Sequence, residues 1–113
     1  MEMKLSMKEL IERAIEEMIP IIVKPLPEMG GYQIIYDQPE GKIFDVISHR
    51  GSYGYKDDLL ETMNKLFDNG DDGVEGYLTV DEVMERLVDY HNLVSSGKTE
   101  DEISKFFNEK YLQ

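Results

Sequence analysis

Three segments of the chain carry the signature of a capped helix start, a Ser or Thr followed three residues later by Glu. They are Ser6–Glu9, Thr79–Glu82 and Thr99–Glu102. Apolar residues recur at the helical period behind each of them, and Leu5 is placed to pack on Leu10 as a hydrophobic staple. The pattern therefore predicts one helix at the N-terminus and two at the C-terminus.

Two segments rich in Tyr, Ile, Val and Phe follow the first helix. Gly31–Asp37 and Lys42–Arg50 are separated by Gln38–Gly41, which has Pro and Gly where a hairpin turn favours them. We predict an antiparallel β-hairpin here. Ile21–Val23 is compatible with a short strand or with an extended tail of the first helix, and the sequence leaves both open.

A further helix is predicted between the hairpin and Thr79. Its apolar positions are Leu59, Leu60, Met63, Leu66 and Phe67, and Asn69–Gly70 resembles a helix C-terminus. The expected fold is thus one α+β domain over residues 1–113. It comprises an N-terminal helix, a β-hairpin that forms a small antiparallel sheet, and three helices.

Composition narrows the function classes. Hydrophobic residues make up 41% of the chain, which is enough to build a core, and there is no cysteine for a disulfide, a thiolate nucleophile or a cysteine-based zinc site. No apolar stretch approaches the ~20 residues that span a bilayer. Common catalytic motifs are also missing. We expect a cytoplasmic, non-enzymatic protein that does not enter membranes.

The formal net charge is −12, and most of it lies in one segment. Residues 57–89 contain eleven carboxylates against Lys65 and Arg86, a net −9. Such an excess favours a basic protein surface or a metal ion as partner and argues against direct binding of nucleic acid. The residues that we assign to partner binding are Asp57, Asp58, Glu61, Asp71, Asp72, Glu75, Asp81, Glu85 and Asp89, with Tyr53 and Tyr55 as aromatic contacts.

Asp81, Glu85 and Asp89 are spaced four residues apart on a predicted helix. Such residues form one row, with steps of ~6 Å along the axis. The row is compatible with an electronegative ridge that competes for a basic groove, as nucleic-acid mimics do. It is equally compatible with a solvated face that supplies solubility.

Residues 71–82 resemble the calcium loop of an EF-hand. In that frame the ligands are Asp71, Glu75, the Tyr77 carbonyl, Thr79 and Glu82. Gly73 stands where the third position normally supplies an oxygen. The alternative is structural, because a capping box at the start of the next helix needs Thr79 and Glu82 for itself.

A family resemblance lies in three short segments, which are Ser52–Gly54, Leu59–Met63 and Val74–Val83. They resemble small uncharacterised acidic proteins of phages and mobile elements of Gram-positive bacteria. That resemblance implies no catalytic residues. The first functional hypothesis is an acidic binding protein, such as a phage-type inhibitor, that engages a basic nucleic-acid-binding protein. The alternatives are a calcium-binding module and a structural protein of unknown partner, and the oligomeric state is left open.

Overall fold

Residues 2–112 of a computed structural model are described here. They run as one helix, five strands and two helices, a mixed α+β arrangement. None of these helices is long and apolar enough to cross a membrane. The elements are α1 Leu5–Glu16, β1 Ile21–Leu26, β2 Gly31–Tyr36, β3 Phe44–Ser48, β4 Leu60–Asn64, β5 Val74–Leu78, α2 Val80–Ser95 and α3 Glu100–Tyr111, with a 3-10 turn at Tyr55–Asp57.

The five strands form one antiparallel sheet in which each strand pairs with its neighbour in the chain. The predicted hairpin is confirmed as β2 and β3, with Ile34 opposite Val46. The segment whose conformation the sequence left open is the edge strand β1, which continues to Leu26. Pro25 is tolerated in β1 because an edge strand leaves one side of its backbone unpaired.

The helix predicted over Leu59–Phe67 is wrong, because Leu60–Asn64 is strand β4. Burial alternates along it, with Leu60, Thr62 and Asn64 buried and the residues between them partly exposed. Two of these three inward residues are polar, so the apolar residues alone match the helical period better than the strand period. The order is therefore a helix, five strands and two helices, rather than a helix, a hairpin and three helices.

Two of the three predicted capping boxes are confirmed. Thr79 accepts from the Glu82 backbone N–H and Glu82 reaches back to the Thr79 N–H, at the start of α2. Thr99 and Glu102 make the same reciprocal pair at the start of α3.

The capping box predicted at Ser6 is wrong. The N-cap of α1 is Lys4, which makes no side-chain cap, and Leu5 is 73% exposed, so the expected staple on Leu10 does not form. Asp58 takes over the cap from a distant part of the chain. Its Oδ1 accepts from the Ser6 N–H at 3.3 Å and from Ser6 Oγ at 2.7 Å.

The hydrophobic core lies between the sheet and the helices and is centred on Tyr90 of α2. The ring is fully buried and packs edge-on against Tyr36 and tilted against Phe44, each at 5.1 Å between centroids. Its hydroxyl donates to Gln38 Oε1 at 2.6 Å. Burial raises the pKa of Tyr90 to about 12, because ionisation would place a charge inside the core.

Candidate functional site

The predicted acidic row on α2 is bridged by cations from both neighbouring helices. Arg13 of α1 binds Asp81, and Lys110 of α3 lies 3.2 Å from Glu85 and 2.7 Å from Asp89. The hydrogen bond that Arg13 donates to the Asp81 carboxylate raises the pKa of Arg13. Two positive charges thus offset three negative ones, and the row helps to hold the helices together instead of standing free.

Glu75 is held by a partly buried ion pair. Arg86 Nε is 2.9 Å from Glu75 Oε1, and Nη2 is 3.1 Å from Oε2. The Arg86 and Glu75 side chains are only 11% and 19% exposed. Arg86 also lies 4.3 Å from the ring centroid of Tyr111, whose hydroxyl donates to Asp89. Burial is the largest cause that raises the pKa of Tyr111, and the hydrogen bond to Asp89 raises it further. Glu75 therefore fastens β5 to α2.

The predicted residues between Tyr53 and Glu61 have different surroundings. Asp58 caps α1, and Glu61 Oε1 accepts from the Tyr53 N–H at 2.9 Å. Asp57 is exposed in the 3-10 turn. The ammonium of Lys4 lies 4.5 Å from the centroid of the Tyr55 ring. Asp57 alone among these carboxylates keeps a freely exposed charge.

Tyr53 forms an exposed aromatic pair with Tyr77. The two rings are stacked at 6.2 Å between centroids and are 54% and 61% exposed. Tyr77 has a left-handed backbone, with φ of 58°. A Cβ at Gly76 would overlap the Cβ of Tyr53, so the pair needs glycine there. This surface is compatible with the partner contact predicted for Tyr53.

The EF-hand-like residues are not arranged as a helix–loop–helix. β4 precedes them, and β5 runs through the middle of the segment. Glu75 binds Arg86, while Thr79 and Glu82 form the capping box of α2. Within residues 2–112, no group of three or more His, Asp or Glu side chains is placed to hold a metal ion.

Asp71 and Asp72 lie exposed on the turn between β4 and β5, which Asn69 organises. Asn69 Oδ1 accepts from the N–H groups of Asp71 and Gly73, each at 2.9 Å, and Nδ2 donates to the Val74 carbonyl at 2.8 Å. Asn69–Gly70 is thus part of a side-chain-stabilised turn, and the helix C-terminus predicted there is wrong.

This turn forms one wall of an open cleft of about 870 Å³, and the N-terminus of α3 forms the other. Met63, Leu66 and Phe67 contribute apolar surface, and Lys65 is the one basic residue among those that line it. We call this feature the acidic cleft. Its exposed carboxylates are those of Asp68, Asp72, Glu100 and Asp101.

None of these four carboxylates makes an ion pair with another described residue. Asp68 is tied to α3 only through its backbone, which donates to Asn108 Oδ1 at 3.0 Å. The acidic cleft therefore concentrates free negative charge around apolar surface, whereas the row on α2 does not.

Sequence reasoning missed three of the four carboxylates of the acidic cleft. Asp72 is among the predicted partner-binding residues, whereas Asp68 is not, and Glu100 and Asp101 are predicted only as part of a helix start. Their acidity was visible, since both lie in the first turn of α3. Their position beside the β4–β5 turn was not, because it depends on how α3 packs. Comparison with protein-family models, curated protein sequences and solved structures finds no match for this chain.

Proposed function

We propose that this is a non-enzymatic binding protein that takes a basic segment of a protein partner into the acidic cleft. The observation that carries the proposal is the set of four unpaired carboxylates around an apolar floor. A partner whose basic surface normally binds nucleic acid fits this chemistry. In that form the protein acts as an inhibitor, because its carboxylates compete with phosphates for the same Lys and Arg side chains.

The apolar floor of the acidic cleft narrows the class of partner segment further. Met63, Leu66 and Phe67 favour a segment that presents apolar side chains together with its cations. Lys and Arg suit this arrangement because their alkyl stems pack on apolar surface while the charged ends reach the rim. An amphipathic basic helix is the simplest such segment.

The acidic cleft is tested with a synthetic amphipathic helical peptide rich in Lys and Leu, titrated into the isotope-labelled protein and followed by two-dimensional NMR. Shift changes should cluster on residues 63–72 and 100–104. Binding should weaken steeply from low to physiological salt, because the Debye length falls to ~8 Å.

Two sets of neutralising substitutions separate a local site from the effect of net charge. The cleft set is Asp68→Asn, Asp72→Asn, Glu100→Gln and Asp101→Asn. The control set removes four exposed carboxylates elsewhere, with Glu12→Gln, Glu16→Gln, Glu17→Gln and Glu28→Gln.

Each exposed charge contributes about 0.5 kcal/mol, so the cleft set should weaken peptide binding about 30-fold. The control set should change it less than threefold. Equal losses in the two sets, or no binding at low salt, would overturn the proposal. Melting temperatures of both sets show whether a loss of binding reflects a loss of folding.

A further inference from the structure

The two faces of the sheet have different surroundings. Ile34, Val46 and Thr62 lie side by side on one face, at most 2% exposed, beneath the helices. The opposite face, which we call the open face, carries two rows of side chains across the strands. The first is Ile22, Ile35, Asp45, Met63 and Val74, and the second is Lys24, Gln33, Ile47 and Glu61.

No helix of the described chain covers the open face. The loop at Tyr53 lies against its β4–β5 corner, where the Tyr53 N–H donates to Glu61. Ile22 is 47% exposed, and Ile35, Ile47, Met63 and Val74 are partly exposed. None of the five belongs to the residues that pack against the hydrophobic core. Five strands of five or six residues present a patch of roughly 20 by 17 Å. Five of the nine side chains in the two rows are apolar, and an exposed apolar surface of this kind often marks an interaction site on a monomer.

A second, independent observation concerns Asp45 at the middle of the first row. The residue is only 5% exposed, although no helix covers its face. Gln33 Nε2 donates to Asp45 Oδ2 at 2.8 Å, and Oδ1 has no partner among the described residues. Leaving a buried carboxylate oxygen unpaired is unfavourable. The centre of the open face therefore lacks a hydrogen-bond donor.

The charges of the second row are arranged to complement themselves. Lys24 is exposed on β1 and Glu61 lies on β4, three strands away and about 14 Å across the sheet. Consider a two-fold axis that runs parallel to the strands, midway between two facing sheets and above the gap between β2 and β3. This axis reverses the order of the strands in the facing sheet, so that β1 of each copy lies opposite β4 of the other. Lys24 of each copy then faces Glu61 of the other, and this contact forms twice. Asp45 lies one strand away from it, in the neighbouring row.

We propose that a second copy of this chain packs on the open face, sheet against sheet, with the two copies related by this axis. Sheets packed in this way lie ~10 Å apart and within about 30° of alignment, so the aliphatic rows of the two copies can interdigitate. A face of roughly 20 by 17 Å on each copy buries less area than the roughly 1,200 Å² at which stable specific complexes begin, so the dimer is weak and reversible.

The dimer is tested by sedimentation velocity of the full chain. Each copy carries −12, so raising salt from low to physiological levels should strengthen self-association by screening the repulsion between copies. Peptide binding to the acidic cleft should show the opposite salt dependence, since it should weaken as salt rises. The cleft set of substitutions should leave self-association intact, so the two proposals can fail separately.

A charge swap makes the test specific to the proposed axis. Lys24→Glu and Glu61→Lys should each weaken self-association at least tenfold, because each variant places like charges opposite each other. An equimolar mixture of the two variants should associate again, since both contacts in a mixed dimer are attractive. Lys42→Glu and Asp37→Lys, at exposed positions outside the two rows, are the matched controls.

Glu61→Lys also removes the acceptor for the Tyr53 N–H, so Glu61→Gln is measured beside it. The Gln variant keeps an acceptor and should weaken the dimer severalfold at an unchanged melting temperature. The proposal is overturned if the unmutated chain stays monomeric at several hundred micromolar in physiological salt. A mixture that associates no better than the single variants would overturn it as well.

Discussion

Asp58 provides the sharpest test of how this fold is held together. Its Oδ1 accepts from the Ser6 N–H and Ser6 Oγ and so caps α1 from 52 residues away. Its own backbone is left-handed, with φ of 55°. Replacing it therefore affects two terms, the helix cap and the strain of a side chain in the left-handed region.

Three substitutions of Asp58 should lower the free energy of unfolding by different amounts. Asp58→Ala loses the cap, about 1 kcal/mol, and the hydrogen bond to the Ser6 hydroxyl, about 1 kcal/mol. It also places alanine in a left-handed conformation at a cost of about 1 kcal/mol, for a total near 3 kcal/mol. Asp58→Gly escapes the strain and should cost about 2 kcal/mol. Asp58→Asn keeps an acceptor and tolerates this backbone, so it should cost about 0.5 kcal/mol, for the lost charge near the helix N-terminus.

Urea unfolding measures these differences as shifts of the midpoint at constant slope, and 1 kcal/mol corresponds to a melting-temperature change of about 4 °C. Ser6→Ala combined with Asp58→Ala should show a coupling of about 1 kcal/mol. If Asp58→Asn is as damaging as Asp58→Ala, the residue does not act as a cap. If Asp58→Gly and Asp58→Ala are equal, the strain term is wrong.

Three further predictions test other parts of the structure. Gly73→Ala should lower the free energy of unfolding by about 3 kcal/mol or more, because the added Cβ would overlap the Asn64 carbonyl. Gly70→Ala, at a similar positive φ but in open space, should lower it by about 1 kcal/mol. Equal urea midpoints for the two variants would contradict the close approach at Gly73. The pKa of Tyr90 is about 12 in the folded protein, against about 10 unfolded, so the unfolded chain ionises first and stability should fall from pH 10 to pH 12. A tyrosinate absorbance titration and pH-dependent urea midpoints check this, and unchanged stability over that range would argue against it. Glu82→Gln should cost less than about 0.5 kcal/mol, and millimolar calcium should leave the melting temperature unchanged; a calcium-dependent rise that this substitution abolishes would restore the EF-hand interpretation.

Some of the fold is encoded locally. The starts of α2 and α3 follow from Thr79 and Thr99 and the Glu residues three positions later, because a capping box is complete within four residues. The β2–β3 hairpin follows from two β-rich segments separated by a short turn. The acidity of residues 57–89 and of the first turn of α3, and so the positive charge expected of a partner, is a property of the sequence alone.

Tertiary packing decided the rest. Leu60–Asn64 became a strand because β3 and β5 pair with it on either side, although its apolar residues fit a helix. The cap of α1 comes from Asp58 rather than Ser6, and no local pattern links those residues. Packing also decided which carboxylates remain free. Those along α2 form ion pairs with Arg13 and Lys110, whereas Glu100 and Asp101 lie beside the β4–β5 turn and form no ion pair with another described residue. The reason is that residue type sets the charge, but the packing of the elements sets which charges are paired.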